Sequence, residues 1–195
     1  HIKLYNSGSF FDPKAIPVSD YPVIAERTRS FERVIVECHP ALIGDACLQV
    51  RDLLPGKLEV AMGLETAHPE ILERLNKRMT LDQFSAAADF LRKNEIDLRV
   101  FILVQPPFMP PDESLFWAKR SLDFAFDCGA TAATLIPTRG GNGAMEVLAK
   151  EGGFIPPRLE ILEAAAEYGI GLNKGRVFAD LWDVPPERAG RLRVM

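Results

Sequence analysis

The sequence is poor in the features that would label it at sight. It carries 3 cysteines in 195 residues, Cys38, Cys47 and Cys128, an odd number at long separations. That excludes the paired framework of a small disulfide-stapled secreted domain. No C-x2-C or C-x3-C-x2-C spacing occurs, so no cysteine cluster site can be built locally. No apolar run approaches the ~20 residues of a membrane-spanning helix. The opening HIKLYNSGSF has neither the basic region nor the apolar stretch of a secretion signal, and the chain reads as cytoplasmic. Neither sign of charge dominates, because 23 basic against 27 acidic side chains leave a formal net charge of -4. A broad phosphate-binding surface is disfavoured, while a small basic cleft stays open. No G-x-G-x-x-G follows the first apolar run, which removes the best support for a dinucleotide-binding open sheet.

What is present is an ordinary globular composition, 47% apolar and 26% charged, in a length that makes one domain, 1–195. Apolar alternation begins at once in Ile2-Lys3-Leu4-Tyr5, with no preceding methionine. The expectation is a chain that starts inside a longer polypeptide.

Short apolar, β-branched runs at Ile2–Tyr5, Val34–Cys38, Leu58–Leu64, Leu98–Val104, Ala132–Ile136 and Val177–Leu181 predict strands buried on both faces. Amphipathic stretches separate them, over 20–30, 41–54, 69–75 with 81–93, 112–127, and 145–150 with 158–168. Leu81, Phe84, Ala88 and Leu91 share one helical face, and Thr80 with Gln83 forms a capping-box signature ahead of it. Strands alternating with helices predict a parallel α/β fold. A complete eight-stranded barrel wants ~250 residues, so six units fit a partial (β/α)6 TIM-like barrel without its first βα unit. The Phe, Leu and Met stripes of the helices are expected in the core.

In parallel α/β folds ligands bind at the carboxyl ends of the strands. Here those ends read Asn6-Ser7-Gly8-Ser9, Glu37-Cys38-His39-Pro40, Gly63-Leu64-Glu65-Thr66, Gln105-Pro106-Pro107 and Thr138-Arg139-Gly140-Gly141. Ser7-Gly8-Ser9 offers a permissive backbone and two hydroxyls, suited to an ammonium or carboxylate, or simply a polar turn. Glu37 and Glu65 each follow an apolar run and sit where an unpaired carboxylate is expensive. They need a ligand group, an ion-pair partner or a raised pKa. His39 and His68 both precede proline and lack a second histidine at helical spacing, so they make a poor zinc pair. Arg139-Gly140-Gly141-Asn142-Gly143 is a cationic glycine-rich loop suited to covering a substrate.

Three segments together, Val34-Ile35-Val36-Glu37-Cys38-His39-Pro40, Val60-Ala61-Met62-Gly63-Leu64-Glu65-Thr66 and Ile71-Leu72-Glu73-Arg74-Leu75-Asn76-Lys77, resemble a radical SAM protein. The branch is that of the elongator-type, tRNA methylthiotransferase-like and coproporphyrinogen-oxidase-like members. Leu4-Tyr5-Asn6-Ser7-Gly8-Ser9-Phe10 with Phe154-Ile155-Pro156-Pro157-Arg158-Leu159 is similar to the archaeosine-synthesis-type members, and the resemblance runs from about Ile2 to Leu162. It implies a partial (β/α)6 barrel that binds S-adenosylmethionine. Ser7, Gly8 and Ser9 would meet the methionine amino group, Glu37 the cofactor, Glu65 the ribose, and Lys77 the methionine carboxylate or neighbouring groups. Gln105, within Val104-Gln105-Pro106, would flank the adenine. A [4Fe-4S] cluster is implied only through a C-x3-C-x2-C segment absent from these residues, and a tRNA substrate only through the branch. The residues alone leave two other readings open. One is an iron-independent barrel enzyme using Glu37 and Glu65 as acid and base on a small polar metabolite. The other is a non-catalytic nucleoside-binding module.

Overall fold

The computed structural model describes residues 1–5, 8–141 and 143–182. Strands β1 (Ile2–Leu4), β2 (Arg33–Glu37), β3 (Lys57–Glu65), β4 (Asp97–Val104), β5 (Ala132–Pro137) and β6 (Arg176–Ala179) form one parallel sheet in sequence order. The connections carry α1 (Tyr21–Thr28), α2 (Asp45–Leu53), α3 (Pro69–Arg74), α4 (Leu81–Lys93), α5 (Ser114–Asp127), α6 (Ala144–Lys150) and α7 (Leu159–Gly171). The sheet curls into a half-barrel, its strands in sequential order and alternating with helices. Every expected strand lies within two residues of an observed one.

The two faces of the sheet differ, contrary to the expectation of strands apolar throughout. Val34, Val36, Leu58, Val60, Met62, Leu64, Leu98, Val100, Ile102 and Val104 are buried beneath the helices. The alternate positions pair across the sheet as Ile35↔Glu59↔Asp97, Glu37↔Ala61↔Arg99 and Gly63↔Phe101. Residues in register point to one face, so the concave side is built from charged, small and aromatic side chains. A half-barrel leaves that side facing a cleft, and the cleft tolerates polarity that a closed core would not.

The helices are set by local chemistry. Gln83 N–H donates to Thr80 Oγ1 at 3.2 Å while Thr80 N–H donates to the Gln83 side chain at 2.9 Å, completing the capping box of α4. Phe84, Ala87, Ala88 and Leu91 then bury one face of that helix. On α5, Ser121 Oγ donates to Trp117 O and accepts from Ala67 N–H at 2.8 Å, pinning the turn that follows β3. Phe116 on the same helix departs from the expected core stripe and is 58% exposed.

The floor of the half-barrel is ionic. The Glu59 carboxylate, with no exposed surface, accepts from Arg33 Nη1 at 2.9 Å, Arg99 Nε at 2.7 Å and Arg176 Nη2 at 2.7 Å. Arg33 also contacts Asp97, and Arg99 Nη1 donates to Thr134 Oγ1 at 3.2 Å. Burial pushes the Glu59 carboxyl up, but the hydrogen bond from Arg176 and the charge and hydrogen bond of Arg99 outweigh it and hold it below its ordinary value.

A carboxyl depressed in the folded state stabilises above its unfolded pKa, and that contribution is lost as the pH falls through the folded value. Glu59→Gln should cost about 3–5 kcal/mol at neutral pH by urea unfolding, the range for breaking one side of a buried ion pair. It should also flatten the acid limb of the stability curve.

Candidate functional site

At the carboxyl ends of the strands lies a pocket of about 200 Å³ whose lining includes Gly8, Ser9, Glu37, His39, Gly63, Glu65, Lys77 and Phe101. β3 ends in a register shift between Gly63 and Glu65. Glu65 itself takes a left-handed backbone with φ 65°, and Thr66 N–H donates to Leu64 O at 2.8 Å. A bulge of this kind re-aims the side chain that follows it, here toward Lys77, whose Nζ meets Glu65 Oε1 at 2.6 Å. The space for this pair exists because residue 63 is glycine. A Cβ at Gly63 would collide with Glu65 Oε1 and come within 3.3 Å of Lys77 Nζ.

Lys77 lies between α3 and α4, flanked by Asn76 at φ 53° and Arg78 at φ 51°. Two left-handed residues that are not glycine within three positions are costly and need outside restraint. His39 supplies part of it. Its Nδ1 accepts from Ala41 N–H at 3.1 Å, so the ring proton sits on Nε2, which donates to Lys77 O at 2.9 Å. The His39 backbone N–H donates to Ser9 Oγ at 2.9 Å. One histidine thus fastens the loop after β1 to the loop carrying Lys77.

Of the site residues expected from sequence, Gly8, Ser9, Glu37, Glu65 and Lys77 line this one pocket. Ser7 lies outside the described residues. Gln105 does not line it; its amide Nε2–H donates to Ile155 O at 2.7 Å, tying the end of β4 to the segment before α7. Arg139 pairs with Asp180 at 2.7 Å, which commits the cation of the glycine-rich loop. His68 packs against Trp117 at 4.3 Å between ring centroids, the rings tilted by 38°. Among the described residues no group of three or more His, Cys, Asp or Glu is placed to hold a metal ion. Burial pushes the Cys38 thiol up to about 12 and the Cys47 thiol to about 11, the reverse of what thiolate ligation needs.

Sequence reasoning missed Gly63, Phe101 and the fastening role of His39. The glycine had a signal, since an isolated glycine inside a strand pattern marks a close approach. Phe101 and His39 had none, because each acts through partners far away in sequence.

The fold is a partial parallel (β/α)6 barrel that gathers polar and charged side chains at its strand ends. No protein-family model matches the chain. It is 25% identical over 194 residues to an uncharacterized protein of Methanocaldococcus jannaschii, covering 96% of this chain and 53% of the relative. It is 27% identical over 176 residues to archaeosine synthase subunit beta of Methanosarcina acetivorans, covering 84% of this chain and 50% of the relative. The chain spans about half the length of these curated relatives. Among solved structures it is similar in fold to Elp3 of Methanocaldococcus infernus with an N-terminal deletion. The TM-score is 0.63 at 16% identity, over 74% of this chain and 34% of that one. Coproporphyrinogen III oxidase of Escherichia coli, described as a radical SAM enzyme, matches at TM-score 0.56 and 13% identity, over 82% of this chain and 37% of that one. The likeness to these two solved structures is one of fold, and archaeosine synthase subunit beta is among the sequence relatives.

Burial raises the Glu37 carboxyl above its ordinary value; Lys77 opposes this and Glu65 adds to it. A carboxyl raised in the folded state stabilises fully below its unfolded pKa, and the benefit is lost as the pH rises through the folded value. Glu37→Gln should therefore stabilise the protein at pH 7 relative to the wild type and leave it unchanged near pH 3, read by thermal melts at both pH values.

Proposed function

We propose that the rim pocket binds S-adenosylmethionine and that this chain forms the barrel of a radical SAM enzyme. The observation that carries the reading is the Glu65–Lys77 pair, opposite charges held side by side over Gly63 at the end of β3. A carboxylate there suits ribose hydroxyls and an ammonium suits the methionine carboxylate, while Ser9 and the Gly8 backbone face the same space and suit the methionine amino group. At about 200 Å³ the pocket is smaller than the ~300–1,000 Å³ of whole-ligand sites. It holds one end of the cofactor, the rest extending past Phe101. Gln105 contributes by fastening the segment around Ile155.

Bound and reduced, the cofactor supplies hydrogen-atom abstraction. The residues of this chain bind it, orient it and exclude water. They do not fit an iron–sulfur cluster, because the three cysteines have no cluster spacing and burial raises all three thiols. The cluster ligands are accordingly assigned to residues outside these 195, in keeping with relatives about twice as long. A tRNA is the substrate proposed from the archaeosine-synthesis branch, and the setting proposed is the cytoplasm; no helix among the described residues is long and apolar enough to cross a membrane.

Glu65→Ala should weaken S-adenosylmethionine binding by about tenfold or more in anaerobic calorimetry, the size of one or two charge-assisted hydrogen bonds. Gly63→Ala should do the same by displacing the Glu65 carboxylate, with the melting curve of both variants close to wild type. Unchanged affinity in both variants removes the pair from the site and the reading with it.

One observation favours a second reading. Glu37 is held above its ordinary pKa beside Glu65, which is paired to Lys77, and two carboxylates in unlike settings are the pattern of an acid–base pair. Turnover of a small polar metabolite in air without iron, abolished by Glu37→Gln, would select it.

A further inference from the structure

The concave side of the half-barrel encloses a second, larger cleft of about 870 Å³, and its lining includes Lys3, Tyr5, Arg99, Phe101, Arg176 and Phe178. Phe101 is shared with the rim pocket. The cleft runs down to the ionic floor. Glu59 and Glu65 are six residues apart on β3, so floor and rim stand about 20 Å apart at ~3.3 Å per residue.

Charge at this floor does not balance. Three guanidiniums, Arg33, Arg99 and Arg176, face two carboxylates, Glu59 and Asp97. The carboxylate of Asp180, also on the lining, is bound by Arg139. The Lys3 ammonium has no carboxylate among the described residues and rests 5.9 Å from the Tyr5 ring centroid. Arg33 and Arg99 are largely enclosed, whereas the Arg176 side chain is 39% exposed to the cleft. Arg176 gives only Nη2 to Glu59; its Nε and Nη1 donate to no described residue. Arg99 cannot move to meet an anion, being held by Glu59 and Thr134 and stacked 4.7 Å from the centroid of Phe178. Surplus cations in a partly enclosed cleft call for an anion. Above them the walls are aromatic and exposed, with Tyr5 at 42% and Phe178 at 43%.

We propose that the floor of this cleft is an anion site in which Arg176 and Lys3 take the carboxylate or phosphate of a ligand whose planar, apolar body lies between Tyr5, Phe101 and Phe178. The ligand enters floor-first and extends toward the rim. That it is the molecule on which the rim chemistry acts rests on the reading in the preceding subsection; the anion site itself does not.

The test titrates the full-length protein with phenylacetate, phenyl phosphate and the neutral phenylacetamide, following ¹³C-labelled phenylalanine ring signals by NMR. At least one anionic probe should bind about tenfold more tightly than the amide, the discrimination expected of a charge-assisted contact, and should shift the Phe101 and Phe178 rings. Preference for phenylacetate assigns a carboxylate and preference for phenyl phosphate assigns a phosphate. Arg176→Gln and Lys3→Gln should each erase most of the preference. Lys3 is exposed and lies outside the Glu59 contacts, so its variant decides the matter if loss of Arg176 impairs folding. Equal binding of acid and amide, a preference that survives in Lys3→Gln, or no binding of any probe at millimolar concentration overturns the proposal. S-adenosylmethionine titrated into the same samples should bind the variants as it binds wild type. Wild-type protein that prefers the anions but binds no S-adenosylmethionine fails the preceding reading alone, and wild-type protein that binds the cofactor without preferring the anions fails this one alone.

Discussion

The Glu59 carboxylate is the point on which the half-barrel hangs. It takes hydrogen bonds from β2, β4 and β6, strands that are not neighbours in the sheet. Backbone ladders join each strand only to the next, so they set spacing but leave the curl of the whole sheet weakly determined. A single buried anion that three guanidiniums must reach supplies the missing constraint. Taking those charges out of water is expensive, and the expense is recovered only when all three strands bend toward the same spot. The apolar face beneath the helices gives the bulk of the stability. The ionic face selects the curvature.

That curvature is what makes the rim a site. On a flat sheet the ends of β1, β2 and β3 would stand in a row. In the half-barrel Ser9, Glu37, Glu65 and Lys77 face a common volume. The fine aim comes from backbone irregularities: the bulge at Gly63 and Glu65, and the left-handed turn around Lys77. Coarse geometry thus comes from the floor and local geometry from the rim, with Phe101 standing between the two clefts.

Much of this was legible in the sequence. The six strands could be bounded because β-branched runs are punctuated by proline, glycine and cap residues, as at His39-Pro40 and Thr80. The rim acids stood out because Glu37 and Glu65 each close an apolar run. The two-faced character of the sheet was also written there, in the alternation Lys57-Leu58-Glu59-Val60-Ala61-Met62-Gly63-Leu64-Glu65. It was obscured by alanine and glycine on the polar face, which read as apolar by composition. The arginine convergence was out of reach, since Arg33 and Arg176 lie 143 positions apart in number and no pattern links them. Gln105 is expected beside the adenine only through the resemblance, while its hydrogen bond to Ile155 O, made from a residue with φ 53°, joins segments 50 positions apart that no local pattern links.

The turn around Lys77 behaves as a cocked spring. Asn76 and Arg78 each sit in the left-handed backbone basin, which asparagine tolerates but which most side chains such as that of Arg78 occupy at a cost of roughly 1–2 kcal/mol. The hydrogen bond from His39 to Lys77 O and the pull of Glu65 on the ammonium hold the turn there. Substitutions at positions 76 and 78 are therefore decided by backbone shape before side-chain chemistry matters. Glycine and asparagine pass easily and β-branched residues do not, even though neither side chain need touch a ligand.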